Sequence, residues 1–589
     1  MKTLKRTVTC GALERGRVGE RVVLNGWVHR IRDHGGILFI SLRDRYGVTQ
    51  VVVDPEKDIE PARSLSLESC IAVTGTVRAR PGGMVNRDMP TGEIEVAVDE
   101  LRVLSASRVP PFVIGERSEA REDLRLRYRY LDLRSFGLQA NIRLRHRVSF
   151  VLREYLDGRG FYEIETPTLI RSTPEGARDF LVPSRLQQGR FYALPQSPQL
   201  YKQILMIAGF DRYFQLAHCF RDEDARGDRQ PEHTQIDLEM SFVAKEDVFE
   251  IVEGMMVRIF ERTGRGKPEA PFLRLPYAEA MNRYGSDKPD LRFALELEDF
   301  TGLAAEGEFE VFRRIAAEGG TVKVLRAPGC AAFSRKHIED LEKTAKAHGA
   351  LGLAWMKVGE DGRPEGGIAR FYGNIEGKLR ETLGTKRGDL LLFVGSEWKT
   401  ACTALGAVRS RLGGELELID RERFHFSWIV DFPLFDWNEE EKKWEPAHHM
   451  FTMPQDSGKM EEKPGETKGE LYDLVCNGVE LGSGSIRIHD PELQQRVFRI
   501  VGFSEEEARR RFGFLLEAFR YGPPPHGGIA LGLDRLVMLM AGEPSIREVI
   551  AFPKNTVGVS PMDSSPAEVE PRQLAELGLQ LEGPQPQSG

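Results

Sequence analysis

Two short stretches far apart in the chain, Phe220-Arg221-Asp222-Glu223 and Gly532-Leu533-Asp534-Arg535, each set an arginine beside a carboxylate in an apolar setting. Arg221 closes a strand-like run, 213–220, and Arg535 opens a helix-like run, 536–540, straight after the glycine-rich 527–532. A guanidinium fork binds two phosphate oxygens at once, which makes either arginine a candidate phosphate ligand. Arginine–carboxylate pairs are also common as structural ion pairs, so each stretch alone leaves both readings open.

At 589 residues the chain is too long for one hydrophobic core, and three or four domains are expected. Its 41% hydrophobic and 29% charged residues fit a soluble globular protein. No apolar run reaches the ~18 residues a membrane helix needs, and the N-terminus lacks the apolar core of a signal peptide. Six cysteines (10, 70, 219, 330, 402, 476) include no C-x-x-C pair, which predicts a reduced, cytoplasmic protein with neither disulfides nor a cysteine zinc site. The net charge of −8 neither announces nor excludes a nucleic-acid partner, because local basic surface matters more than the total. Basic residues crowd at Arg30 to Asp33 and from Arg121 to Arg147; from composition alone these are solvated, ion-paired faces.

Residues 1–106 read as five short strands, 21–27, 37–43, 48–53, 70–80 and 93–104, punctuated by Gly35-Gly36, Tyr46-Gly47 and Pro81-Gly82-Gly83. Five short strands suit a small barrel, of the OB or the SH3-like kind. Residues 107–135 are rich in proline and charge and read as a linker with a short helical segment. Ile142, Val148, Leu152 and Tyr155 fall near helical spacing and predict a helix over 141–156, followed by a strand at 161–165. A separate αβ block spans 288–420, with a helix expected at 334–349 and a strand at 389–394; strand-rich sequence resumes at 424–433. The tail is rich in Pro, Glu and Gln, and disorder is expected over 583–589.

Longer words carry more information than either opening stretch. They include Ser172-Thr-Pro-Glu-Gly-Ala-Arg-Asp179, Ala193-Leu-Pro-Gln-Ser-Pro-Gln199, Tyr284-Gly-Ser-Asp-Lys-Pro-Asp290, Gly482-Ser-Gly-Ser-Ile-Arg-Ile-His-Asp490 and Pro524-Pro-His-Gly-Gly528. With them the chain resembles, over roughly 5–580, the bacterial-type aspartyl-tRNA synthetases, and the two opening stretches stand where class II synthetases carry motifs 2 and 3. The resemblance implies an α+β multidomain fold. An OB-fold anticodon-binding barrel at 1–106 and a hinge at 107–135 precede a class II antiparallel sheet with flanking helices at 136–287 and 421–560. An inserted α/β (GAD) domain occupies 288–420, and 561–589 is a C-terminal extension. The insertion disfavours an asparaginyl or archaeal-type enzyme, and motif 1, which the resemblance places from the 141–156 helix to Pro167, implies a homodimer.

The family activates L-aspartate with ATP and Mg²⁺ to aspartyl-adenylate, then transfers it to tRNA. Both steps build negative charge, so fixed cations are expected to dominate over acid–base groups. By resemblance Arg221 holds the α-phosphate and Arg535 stacks on adenine while facing the γ-phosphate. Asp222, Glu223, Gln230, His233, Glu480, Gly532, Leu533 and Asp534 complete the ATP site, and Asp473 and Glu480 hold Mg²⁺. Arg221, Arg535 and Glu480 are the implied catalytic residues. Lys202 and Arg487 face the aspartate carboxylate, with Asp237, Ser197, Gln199 and Glu175 around its amino end and His448 as a further contact. Two cations explain rejection of asparagine, whose amide leaves buried charge unpaired. Read without the family, Lys202 is a helix-surface lysine, and Asp473 and Glu480 are as easily surface acids.

Three positions depart from the family. His233 stands where Phe usually stacks on adenine, so weaker or pH-sensitive ATP binding is expected; Ser483 replaces a Gly and Met450 a Pro, without loss of a charged contact.

In the barrel, Phe39 is the candidate base stacker, or a core residue, and Arg30, Arg32 and Gln50 are candidate polar readers. Members that charge both tRNA(Asp) and tRNA(Asn) often carry His in Arg-Asp-x-Gly-Gly and a small residue in the later loop. His34 and Gly83 therefore imply both tRNAs, and a functional link to an amidotransferase. The competing readings are an asparaginyl or lysyl ligase, disfavoured by Lys202, Asp237 and Arg487, and a non-catalytic tRNA-binding paralogue, disfavoured by intact Arg221, Glu480 and Arg535.

Overall fold

The structure, a computed structural model, describes residues 5–57, 62, 64–173, 177–223, 227–581 and 583. Glu175 and nearly all of the expected disordered end lie outside the described residues. The chain forms two compact units, one reaching Arg145 and including Glu543–Glu568, the other holding most of the remainder. Among the described residues no helix is long and apolar enough to cross a membrane.

In the first unit, strands Arg21–His34, Ile37–Asp44, Gly47–Val53, Cys70–Ala79 and Ile94–Ser105 close into a barrel. Around the barrel they run first, second, third, fifth, fourth, with the third and fifth parallel. This is the OB arrangement. Alternate residues such as Leu24, Val28, Ile40, Leu42, Val51 and Val73 fill its core.

The first strand runs well past its expected end at Trp27. Pairing steps from Val28↔Leu42 to Arg30↔Ser41, leaving His29 as a bulge. The extra residue reverses the alternation, so Ile31 packs against the core while Arg30 and Arg32 are exposed. In the sequence that reversal looks like a strand end. Gly35 and Gly36, with φ of +62° and +88°, make the two-residue turn that the His34↔Ile37 pair requires. The 107–135 stretch contains two short helices, Glu122–Arg127 and Arg129–Asp132. Buried Arg129 ties it to the end of the same unit, donating to the carbonyls of Arg547, Ile550 and Ala551 at 2.8–2.9 Å.

The second unit is built on an eight-stranded sheet. In spatial order its strands are Leu273–Pro276, Phe426–Val430, Leu471–Cys476, Val479–Ile486, His526–Gly532, Glu232–Ser241, Arg212–Phe220 and Tyr162–Glu163. The last is the remnant of the strand expected over 161–165. The expected 141–156 helix extends over Phe136–Asp157. Strand Glu232–Ser241 alternates strictly: Ile236, Leu238 and Met240 point to an apolar face, and His233, Gln235, Asp237 and Glu239 to the other. Trp428, fully buried, stacks on Phe249 of helix Lys245–Thr263 at 4.2 Å, and Tyr472 meets Phe249 edge-on at 5.1 Å.

Residues 288–420 form their own five-stranded sheet, with Leu390–Ser396 and Thr321–Ala327 central, and two apolar clusters, one containing Leu341 and Leu405, the other Phe300 and Phe393. Helix Arg335–Ala347 is capped by Ser334, whose hydroxyl accepts the His337 N–H at 3.2 Å.

Trp428→Ala should cost about 3–5 kcal/mol by opening a cavity between sheet and helix. A clearly lower denaturation midpoint is expected; an unchanged midpoint would contradict this packing.

Candidate active site

The polar face of the sheet carries the site. Direct cross-strand partners lie on one face, so Gln215, Asp237, Ala530, Ser483 and Asp473 form a single row across five strands. Tyr213, Glu239, Gly528, Ser485 and Leu471 form the next. Within the first row Asp237 and Asp473 are the charged groups, with only the small side chains of Ala530 and Ser483 between them. Three strand spacings, roughly 14 Å, separate Asp237 from Asp473, which leaves a trough long enough for an amino acid joined to a nucleotide phosphate.

At one end four charges are wholly buried. Lys202 Nζ lies 3.0 Å from Asp237 and 3.2 Å from Glu239. Arg487 grips both Glu239 oxygens, at 2.9 and 3.1 Å, and its third nitrogen donates to Ser485 Oγ and His449 Nε2, each at 2.6 Å. A guanidinium only donates, so Nε2 of His449 is a lone-pair nitrogen. Burial first, then Arg487, pushes the His449 pKa well below the ordinary range, and the ring is neutral. Burial opposes ionisation of Glu239, but Arg487 and Lys202 outweigh it and hold the pKa at about 2. Burial pushes Asp237 up, to about 6, against the attraction of Lys202.

Lys202 is thus not a helix-surface lysine. Helix Gln199–Ile207 turns Gln199, Lys202 and Gln203, one turn apart, inward over this cluster, where the carboxylates satisfy the ammonium. Gln199 Nε2 is buried without a hydrogen-bond partner among the described residues, and Ser197 Oγ accepts the Gln199 N–H at 3.3 Å. Gly528 is needed here, because a Cβ would run into the Leu238 carbonyl and the Glu239 carboxylate.

At the other end Asp473, 4% exposed, lies on the strand before the turn at Asn477 and Glu480 on the strand after it. Pairing steps from Leu474↔Gly482 to Val475↔Glu480, and the bulged Leu481 brings Glu480 onto the face of Asp473. Burial and then Asp473 push the Glu480 carboxyl up. His448 Nε2 lies 3.5 Å from Asp473. Burial opposes its imidazolium, but Asp473 and Glu480 outweigh that and raise its pKa. Met450 is buried in an apolar cluster, and Ser483 sits in the trough between Ala530 and Asp473.

Arg221 stands where strand Arg212–Phe220 ends, its backbone N–H bound to the Pro231 carbonyl at 2.8 Å; its Nε is buried without a hydrogen-bond partner among the described residues. Asp222 is fixed through its N–H to the Arg178 carbonyl, and Glu223 pairs with Arg229 at 3.0 Å. Gln230 is buried. Arg535, in the first turn of helix Leu533–Ala541, donates to the Glu480 carbonyl at 2.9 Å and to Asp228 at 3.1 Å. Asp534 instead accepts the Thr234 N–H at 2.9 Å, Leu533 is buried, and Gly532 pairs with Gln235; these three fix the helix start. His233 lies among Arg221, Asp534 and Arg535, and its pKa falls to about 4, chiefly through burial.

In the barrel, Arg30–Ser41–Gln50 and Arg32–Phe39–Val52 are neighbouring cross-strand rows on the outer face. Phe39 is therefore an outward, half-buried ring, while Gln50 is buried and donates to Glu95 at 2.8 Å. His34 and Gly83 are both exposed, and a Cβ on Gly83 would meet nothing within 4 Å.

Residues 121–556 match the family of class II tRNA synthetases (D, K and N), and residues 22–104 the OB-fold nucleic acid binding domain. The chain belongs to the class II tRNA synthetases. A Treponema denticola protein named Aspartate--tRNA(Asp/Asn) ligase is 59% identical over 586 residues, 98% of this chain and 99% of that protein. One of the same name from Moorella thermoacetica is 52% identical, covering 98% and 97%. Among solved structures, asparaginyl-tRNA synthetase from Pyrococcus horikoshii with asparaginyl-adenylate superposes with TM-score 0.60 at 20% identity, covering 97% of this chain and 100% of that one. The aspartyl tRNA synthetase of Entamoeba histolytica gives 0.55 at 20%, covering 92% and 90%. At such identities the likeness concerns fold.

Class II synthetases use Mg²⁺ with ATP, and the acids of this synthetase fit that ion. Asp473 Oδ1 is buried with no hydrogen-bond partner among the described residues, and Glu480 is held beside it. No group of three or more His, Cys, Asp or Glu that could hold a metal occurs among the described residues. Glu239 and His449 were missed as site residues. The alternation of strand Glu232–Ser241 put Glu239 on the face of Asp237 and could have found it.

With the pKa of His233 lowered to about 4, its imidazole is neutral from pH 6 to 8. A ring that stays neutral over that range has no charge change to report, contrary to the pH sensitivity that histidine alone suggests. ATP KM should follow the same pH profile in wild type and His233→Phe across that range. A wild-type inflection near 6.5 that vanishes in the variant would contradict this.

Proposed function

We propose that the chain is an aspartate–tRNA ligase acting on both tRNA(Asp) and tRNA(Asn). The observation that carries it is the buried Lys202–Asp237–Glu239–Arg487 cluster. Two cations and two anions balance there, with Glu239 clamped to Arg487. L-aspartate fits by lending its side-chain carboxylate to Lys202 and Arg487 and its ammonium to Asp237, with Ser197, Gln199, Glu175 and His448 around it. Truncating one partner of such a buried pair costs about 3–5 kcal/mol, which is the energetic basis for excluding the neutral amide of asparagine.

The α-carboxylate of aspartate attacks the α-phosphorus of ATP, forming aspartyl-adenylate and releasing pyrophosphate. Arg221, whose Nε has no hydrogen-bond partner among the described residues, stabilises the charge that develops on the α-phosphate. Arg535, held by Asp228 and Glu480, faces the γ-phosphate and covers adenine opposite neutral His233. Asp222, Glu223 and Gln230 line the same nucleotide site, with Gly532, Leu533 and Asp534 positioning Arg535. Asp473 and Glu480 would hold Mg²⁺, which would supply neutralisation of phosphate charge. The terminal ribose hydroxyl of tRNA then takes the aspartyl group and releases AMP.

Phe39, Arg30, Arg32 and Gln50 form the anticodon-reading face of the barrel, by stacking, phosphate contact and hydrogen bonding. Exposed His34 and Gly83 leave the third anticodon position permissive. A cytoplasmic homodimer working ahead of an amidotransferase completes the reading.

The test is aspartylation of tRNA(Asp) and tRNA(Asn) transcripts side by side at one salt concentration. Comparable charging is expected; charging of tRNA(Asp) alone would overturn the dual assignment. His34→Leu with Gly83→Lys, which the open surroundings of Gly83 accommodate, should lower tRNA(Asn) charging about tenfold or more and spare tRNA(Asp), because each wrong contact costs about 1–3 kcal/mol. Equal loss on both tRNAs would contradict the role of these two residues.

A further inference from the structure

The inserted block meets the body of the second unit through helix Trp398–Glu415, and that helix has no freedom to slide. A Cβ on Gly406 would run into the Gly285 carbonyl, and one on Gly285 into the Cys402 carbonyl. Arg409, 1% exposed, donates to the carbonyls of Asp290 at 2.9 Å, Phe293 at 3.1 Å and Leu295, and its guanidinium lies 4.1 Å from the Phe293 ring centre. Those three carbonyls belong to the start of the inserted block itself, and the same guanidinium lies 5.0 Å from the ring centre of Tyr284 in the body, so Arg409 ties the helix both to its own block and across to the body.

From this fixed helix an aromatic file leads towards the site. Trp398 donates its indole N–H to Asn282 at 2.9 Å and meets Tyr277 edge-on at 6.3 Å. Tyr277 packs on buried Phe432 at 5.0 Å, and Phe432 meets the His448 ring at 5.0 Å and 76°. Lys399, the next residue of the helix, pairs at 3.7 Å with Asp436, on the hairpin Phe435–Asn438/Lys443–Pro446 that leads into His448. Among the described residues His448 Nδ1 has no hydrogen-bond partner, so the orientation of the ring depends on Phe432 and on Asp473. Both the ring beneath His448 and the chain running into it are thus held from the first turn of the inserted helix.

We propose that the inserted block positions His448, with Trp398 acting through Tyr277 and Phe432 as a positioning residue of the amino-acid site. This rests on the reading of His448 as an aspartate contact. It gives the insertion a task in substrate selection that needs no contact with tRNA.

The experiment is ATP–pyrophosphate exchange with the full chain, varying aspartate and ATP separately. Trp398→Leu should raise the KM for aspartate three- to tenfold and leave the KM for ATP unchanged, whereas Trp398→Phe, which keeps a ring, stays within twofold of wild type. In a His448→Ala background Trp398→Leu should add nothing, the coupling expected of groups acting through one another. An unchanged aspartate KM in Trp398→Leu, an equal rise in both KM values, or a further rise in the His448→Ala background overturns the proposal. If His448→Ala alone leaves the aspartate KM unchanged, the reading beneath the proposal fails instead. Should Trp398→Leu not fold, Lys399→Ala, at an exposed residue, tests the hairpin tether, with a rise in aspartate KM of about twofold or more expected and no change overturning it.

Discussion

The site depends on keeping two cations buried and charged inside a β-sheet. An isolated ammonium or guanidinium taken out of water costs several kcal/mol, and here Asp237 and Glu239 face Lys202 and Arg487 and supply the compensating charge. Much of the surrounding structure serves that arrangement. Strict alternation presents two carboxylates on one face of strand Glu232–Ser241 while its other face stays apolar. Gly528 opens room for Glu239, and neutral His449 and Ser485 occupy the remaining donor of Arg487. Helix Gln199–Ile207 then covers the cluster.

The polar face of the sheet thus has a charge gradient in one direction. Four compensated charges stand at one end, Asp473 and Glu480 at the other, and the Nε of Arg221, without a hydrogen-bond partner among the described residues, lies beyond the end of a neighbouring strand. Such a trough suits a ligand with a charged head at one end and a phosphate chain at the other. The small residues Gly528, Ala530, Ser483 and Ser485 matter as much as the charges, because they leave the floor open between them.

A large share of this was legible in the sequence. The five barrel strands and the helix capped by Ser334 followed from periodicity and turn chemistry, whereas the class and the roles of the motif arginines came from the resemblance carried by the longer words. What stayed hidden has two physical causes. Bulges at His29 and Leu481 reverse the side-chain alternation, one turning Arg30 and Arg32 outward and the other bringing Glu480 beside Asp473, and neither leaves a compositional trace. Burial of a charge depends on partners distant in the chain. Lys202 reads as a surface lysine until Asp237 and Glu239 are brought over it, and the pH sensitivity expected of His233 disappears once burial, and then Arg221, suppress its protonation.

The central claim, that the buried cations select a carboxylate, is tested most directly by ATP–pyrophosphate exchange with aspartate and with asparagine under identical conditions. A site that leaves buried charge unpaired when the side chain is neutral should favour aspartate by on the order of 10⁴ in kcat/KM. Lys202→Met should lower that preference mainly by losing activity with aspartate. Comparable exchange with asparagine in the wild-type enzyme, or an undiminished preference in Lys202→Met, would contradict the account.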